Sequence, residues 1–301
     1  MSRPRWLALL ATVFVACGID AAGTLAPNVD GGQDAAPPPA PAPPPEGPSD
    51  AEEDAGSDTG VDASDAEAGP KCGSVTFSDP LTTLDTGADG GWVVVRDSSN
   101  GTYPQIDTSP EGPAVSLVGF GGSVGGIWRS PQPLEAFDVS FRYLVSCPAG
   151  TCSDGLSAIW IEATDAGSGE LYPALSGAGL GIPGAHDGGA LVLDIFKDPG
   201  PNDPDVPSFS ILAIDATKTS NNYDWHTKSG AADAGLFGAH DVAIHVRKGT
   251  LTATLDGAPL VSGSVATDFT GWLGLLGASG GTPGVFYVRN FAARFYVCDD
   301  P

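Results

Sequence analysis

Basic side chains are scarce in this chain of 301 residues: 13 Lys and Arg stand against 37 Asp and Glu, for a formal net charge of −24. Nothing basic is concentrated enough to track a phosphate backbone, so nucleic acid is not an expected partner. No basic amphipathic segment is present to lie on an anionic lipid surface. The five cysteines include no Cys-x-x-Cys pair, which argues against zinc as their use. Helical periodicity capped at both ends is missing throughout.

The shortages are uneven along the chain. Residues 18–70 contain no aromatic and no basic residue but twelve acidic ones, in Pro-rich (Pro37 to Pro48) and Asp/Glu/Ala/Gly pieces. Such a segment cannot bury enough apolar surface to offset the entropy of ordering, so disorder is expected. Proline stiffness and charge repulsion favour extension, giving a tether with a reach on the order of 100 Å. Before it, residues 1–16 combine Arg3 and Arg5 with an apolar core from Trp6 to Val15, a secretory signal too short to span a membrane. Phe14-Val15-Ala16-Cys17 resembles a bacterial lipobox, which implies lipidation of Cys17 and attachment through acyl chains alone. Gly18 and Ile19 lack the aspartate of inner-membrane retention, so an outer-membrane or cell-surface location is expected. Ordinary cleavage and secretion is the alternative.

Cysteine arithmetic agrees, because five leave one over and Cys17 is the odd one. Export permits disulfides. A Cys72–Cys298 bridge would close nearly the whole remaining chain, for roughly 5 kcal/mol of chain entropy, while Cys147–Cys152 would stiffen one turn for about 2 kcal/mol.

Residues 71–301 have the texture of one all-β domain. Phe137, Val139, Phe141, Tyr143 and Val145 alternate with Asp138, Ser140, Arg142 and Leu144, a period-two strand. Val242–Val246 and Leu251–Leu255 flank Lys248-Gly249 as a hairpin, and Asp256-Gly257 signals another turn. Further strands are expected at Gly91–Asp97, Ala114–Val118, Gly155–Glu162, Ala190–Phe196, Phe209–Ile214, Gly271–Leu276 and Val285–Phe295. About a dozen short strands in some 230 residues argue for a two-sheet antiparallel jelly-roll sandwich. Trp92, Trp128, Trp160 and Trp272 read as core. Trp225 reads as a loop residue and a candidate ligand contact, and His186 as an exposed loop histidine. His245 falls on a polar strand face, and His226 and His240 have no ligand spacing.

The run from Ala190 through Asp215 is the most informative. Asp194, the Phe196 carbonyl, Asp198 and Asp203 place four oxygen donors within ten residues, a set suited to Ca²⁺. On composition alone an Asp- and Pro-rich turn between strands is the plainer reading. The run resembles the metal loop of the legume (L-type) lectin family, Glu-x-Asp-x-(Tyr/Phe)-x-Asn, then Asp-Pro, then His, without a gap. Three more stretches resemble that family in its order: Ser153-Asp154-Gly155-Leu156, Gly177-Ala178-Gly179-Leu180-Gly181, and Gly274 to Gly281.

The resemblance covers about residues 75–297 and implies a concanavalin A-like fold and a glycan or polysaccharide ligand. Its implied sugar contacts are Asp154, Gly177, Phe196, Asp198 and Ser279. Its implied Ca²⁺ ligands are Asp194, Phe196, Asp198 and Asp203. Two departures stand in the transition-metal half: the family's glutamate is Val192 and its histidine is Ser208, so that metal is expected to be absent. Asp198 replaces an asparagine whose amide donates to sugar, and a carboxylate can only accept.

A glycoside hydrolase of the same fold is the enzyme alternative. It needs two carboxyl groups about 5–5.5 Å apart for retaining chemistry. The comparable strand lacks both glutamates, and Glu162 with Asp154 is the only other pairing in view. The expectation is a non-catalytic binding domain. A structural or adhesion sandwich with a degraded sugar site is the remaining class.

Overall fold

The computed structural model describes residues 72–87, 91–96, 103–119, 123–147, 152, 154–164, 167–171, 180–183, 186–196, 206–216, 224–228, 234–280 and 284–298. The expected signal, Cys17 and the tether lie outside these residues.

Among the described residues two antiparallel sheets hold fifteen strands. The eight-stranded sheet runs β13 (Ala258–Ser264), β12 (Thr250–Leu255), β11 (Gly238–Arg247), β6 (Ala136–Ser146), β15 (Val285–Cys298), β4 (Gly112–Val118), β3 (Gln105–Ser109). Its eighth strand, β1 (Cys72–Asp79), pairs with the second half of β15, whose first half pairs with β4. The seven-stranded sheet runs β10 (Asp224–Lys228), β9 (Ser208–Ile214), β8 (Gly188–Asp194), β7 (Gly155–Glu162), β14 (Thr270–Ala278), β5 (Val124–Pro133), β2 (Val93–Arg96). Among the described strands the chain changes sheet between β1 and β2, β2 and β3, β4 and β5, β5 and β6, β6 and β7, β10 and β11, β13 and β14, and β14 and β15. That is a jelly roll. Among the described residues there is no α-helix, only 3-10 turns at Gly167–Leu171 and Ala234–Leu236.

Side-chain period explains the layering. In β6 the odd-numbered Phe137 to Val145 are buried while Asp138, Ser140, Arg142 and Leu144 face outward. They meet Leu191, Leu193, Phe209 and Ile211 of the other sheet in the main core. Trp160 anchors it, stacking edge-on against Phe137 at 5.3 Å and donating its indole N–H to the Ala266 carbonyl. β8 is buried at all seven positions. Its second face lies under another apolar cluster, in which Leu180 and Ile182 from a covering loop pack on Val192, Ile159, Leu212 and Trp272. A strand covered on both faces reads as a continuous apolar run, as this one does. The same face has glycines where aromatic bulk must fit: a Cβ on Gly274 would lie 2.5 Å from the Trp128 ring.

Lys248-Gly249 and Asp256-Gly257 have positive φ at both positions, the hairpin geometry that matches strand twist. Cys147 and Cys152 are bridged. Cys72 stands opposite Cys298 in the β1–β15 register; the side chains of that expected bridge lie outside the described ones.

Several expectations need correction. Strands β1, β3, β5, β10 and β13 were not legible from period, because β5 carries Gly and Pro and the others are short or lie at edges. Trp225 falls on β10 rather than in a loop. The strand expected at Ala190–Phe196 spans Gly188–Asp194: the Asp194 carboxylate accepts from the Phe196 N–H at 3.2 Å and turns the chain. His186 is 6% exposed, so it is a buried loop residue.

Candidate functional site

One end of the seven-stranded sheet collects most of the residues singled out above. Register aligns Val124, Ala278, Gly155, Asp194 and Ser208 in one row across β5, β14, β7, β8 and β9. Asp154, Ser279 and Phe196 lie just beyond that row, at the ends of β7, β14 and β8.

Asp154 is held tightly there. It has a left-handed φ of 43°, which aspartate tolerates better than most residues. Its carbonyl accepts from the Ile195 N–H at 2.8 Å, tying the entry of β7 to the exit of β8. Two residues earlier the Cys147–Cys152 bridge closes the β6–β7 loop. The side chain is 4% exposed and abuts the main chain of Gly280, where a Cβ would stand 2.9 Å from Oδ2. Ser279 is fully buried and donates its N–H to the Ser123 carbonyl at 2.9 Å, fixing the strand that brings Gly280 to Asp154.

Asp194 is 3% exposed and shares the outer sheet face with Val192 and Ser208, while Phe196 next to it is 38% exposed. The pair therefore combines a buried carboxylate with a ring open to solvent. The site suits hard oxygen chemistry at Asp194. The two positions beside it that the lectin pattern gives to transition-metal ligands carry the apolar Val192 and the hydroxyl of Ser208, so these two described residues supply neither an imidazole nor a carboxylate. Among the described residues no group of three or more His, Cys, Asp and Glu side chains gathers to hold a metal. Gly177, Asp198 and Asp203, the other residues expected in the site, lie outside the described residues.

Other candidates fall elsewhere. β7 puts Asp154 and Glu162 at its opposite ends, about 25 Å apart at strand rise, so they form no hydrolytic carboxylate pair. The spacing Gly-x-Ser-x-Gly occurs at Gly121–Gly125 and Gly277–Gly281. Ser123 and Ser279 are both buried and flank strands rather than a strand-to-helix elbow, so neither presents a nucleophile. His240 is held by Asp256 and His245 by Asp138, both on the eight-stranded sheet. Gly280 is the residue that sequence reasoning passed over. Its signal was the Gly280-Gly281 pair at a strand end, where close backbone approach is needed.

No protein-family model and no curated protein sequence matches the chain. The fold does match solved structures. Basic winged bean lectin, determined with Tn-antigen, aligns at TM-score 0.54 and 14% identity, covering 76% of this chain and 100% of the lectin. The exoplasmic/lumenal domain of VIP36 in its Ca²⁺- and mannose-bound form aligns at 0.55 and 12%, covering 75% and 91%. The Bauhinia forficata lectin in complex with GalNAc aligns at 0.53 and 16%, covering 76% and 100%. The domain thus has the legume-lectin jelly-roll fold.

Proposed function

We propose that the chain is a surface-anchored lipoprotein whose β-sandwich binds carbohydrate at the Asp154 end of the seven-stranded sheet, with a Ca²⁺-stabilised loop. The observation that carries the reading is the convergence there of the Asp154 carboxylate, the Ser279–Gly280 main chain and the exposed Phe196 ring. A carboxylate accepts vicinal sugar hydroxyls with strong, charge-assisted bonds, and an aromatic face takes the sugar's C–H face. Ca²⁺ would be held by Asp194, the Phe196 carbonyl, Asp198 and Asp203. Its contribution would be to fix the loop in advance and so lower the ordering cost of binding.

The lectins of the same fold were solved with galactose-type and mannose-type ligands, which supports glycan as the ligand class. The test joins Ca²⁺ and sugar. Ca²⁺ should raise the melting temperature of residues 71–301, and Asp203→Ala should remove that rise. A glycan array should show binding that chelator weakens and Asp154→Asn abolishes. A wild-type domain with no Ca²⁺ shift would sink the metal loop, and an empty array would leave an adhesion or scaffold domain. Palmitate labelling that disappears in Cys17→Ala checks the anchor.

A further inference from the structure

A second concave surface lies on the opposite side of the sandwich, on the outer face of the eight-stranded sheet. A cavity of about 340 Å³ opens there across β1, β15, β6 and β11. Its floor is one register row of small residues, Ser78, Ala292, Ser140 and Ala243. The row two residues along each strand carries Thr76, Arg294, Asp138 and His245, again in register. Small residues next to long ones on the same strands make the depression.

The wall is built around one carboxylate. Asp138 accepts from His245 Nδ1 at 2.8 Å, from Arg247 Nη2 at 2.7 Å and from the Tyr296 hydroxyl at 2.6 Å. Burial alone would raise the Asp138 pKa, but these three donors outweigh it and hold the carboxyl below its ordinary value. Arg247 also stacks on the Tyr296 ring at 4.3 Å, closing the far side of Asp138. A carboxylate only accepts, so Nδ1 of His245 carries the proton in that bond, and Nε2 is the ring nitrogen left for a ligand. His245 is half exposed and lines the cavity. Arg294 lines it from two strands away and forms no ion pair among the described residues.

We propose that this cavity binds a small hydroxylated carboxylate of the uronic-acid type. Arg294 supplies the planar fork that matches a carboxylate. His245 Nε2 hydrogen-bonds a ligand hydroxyl about 10 Å of strand spacing away. The Ser140, Ser78 and Thr76 hydroxyls serve the rest of the ring, whose flat face rests on Ala292 and Ala243. The volume lies at the lower end of that found for small-molecule sites. In so acidic a chain, a solvent-facing guanidinium and an Arg247-backed wall are the local exception that admits an anion. The proposal is independent of the loop site and stands whether or not that site binds sugar.

The experiment is a titration of the full chain with D-glucuronate, with D-glucose and inorganic sulfate alongside, by calorimetry and saturation-transfer NMR. D-Glucuronate should bind more tightly than either control. Arg294→Gln should weaken it about tenfold or more, as loss of a hydrogen bond to a charged group does, and His245→Gln, separately, should weaken it about threefold or more. Ala292→Trp should block the floor and remove binding with Arg294 and His245 both intact. The same titrations repeated in an Asp154→Asn background remove any contribution of the loop site, and glucuronate binding should persist there. Absence of glucuronate binding in that background, or equal binding when Arg294→Gln is added to it, would each overturn the proposal. Glucose or sulfate binding as tight as glucuronate would overturn the assigned ligand class.

Discussion

At the scale of single residues, the loop site depends on where one carboxylate points. Asp154 is buried and turns through a left-handed backbone, so its side chain has few alternatives once Gly280 packs beside it. A methyl group added at Gly280 would stand 2.9 Å from Asp154 Oδ2. The closest atom is the end of a side chain, so the carboxylate moves before the strand does. Gly280→Ala should therefore weaken glycan binding by about tenfold, the cost of misplacing one charge-assisted hydrogen bond. Its melting temperature should stay within a few degrees of the parent's. Binding measured on the array alongside thermal unfolding separates the two effects, and unchanged binding would show that Asp154 makes no sugar contact. Val192 and Ser208 make the complementary point. Each is a fully legible departure from the lectin pattern, and each sits beside Asp194 on the same face, where it removes the donors a transition metal needs.

Among the elements, legibility followed burial. β6 and the β11–β12 hairpin announced themselves because one face is core and the other polar, which writes period two into the sequence. β7, β8 and β9 read as plain apolar runs because loops bury their second face, a feature whose cause only the structure displays. β5 and β13 escaped notice for opposite reasons. The first uses Gly125 and Gly126 to clear Leu117, Pro104, Leu276 and Trp128, and the second is an edge with mostly exposed positions. The ends of strands were the least readable part, yet they hold the site: Asp194 ends β8 through its own side chain, which a strand pattern does not foresee. The β6–β7 loop shows how such an end is secured. Cys147–Cys152 closes it two residues before Asp154, across a Cα separation of 5.2 Å. Replacing both cysteines by serine should lower stability by about 2 kcal/mol in the chain-entropy account, read from urea unfolding. It should also weaken glycan binding, because Asp154 loses its anchored approach. Unchanged affinity in a destabilised variant would assign the bridge to stability alone.

For the whole molecule, every described core residue lies between Leu81 and Phe295, and the first strand starts at Cys72. The acidic stretch before it has no aromatic side chain to contribute to either apolar cluster. Residues 71–301 keep 25 acidic against 11 basic side chains, so the domain stays net negative without the stretch. We infer from this that residues 18–70 serve as a spacer, and two consequences of that expectation can be separated in one experiment, comparing residues 18–301 with residues 71–301. Their melting temperatures should agree within about 2 °C, the shift that less than ~1 kcal/mol produces in a domain of this size. Added KCl should raise both, by screening repulsion within an acidic fold. The increase should be no larger for the longer chain if residues 18–70 are extended as expected, since charges already apart gain little from screening. A longer chain that melts well above the shorter one would mean that the tether packs on the domain, and the spacer reading would fall.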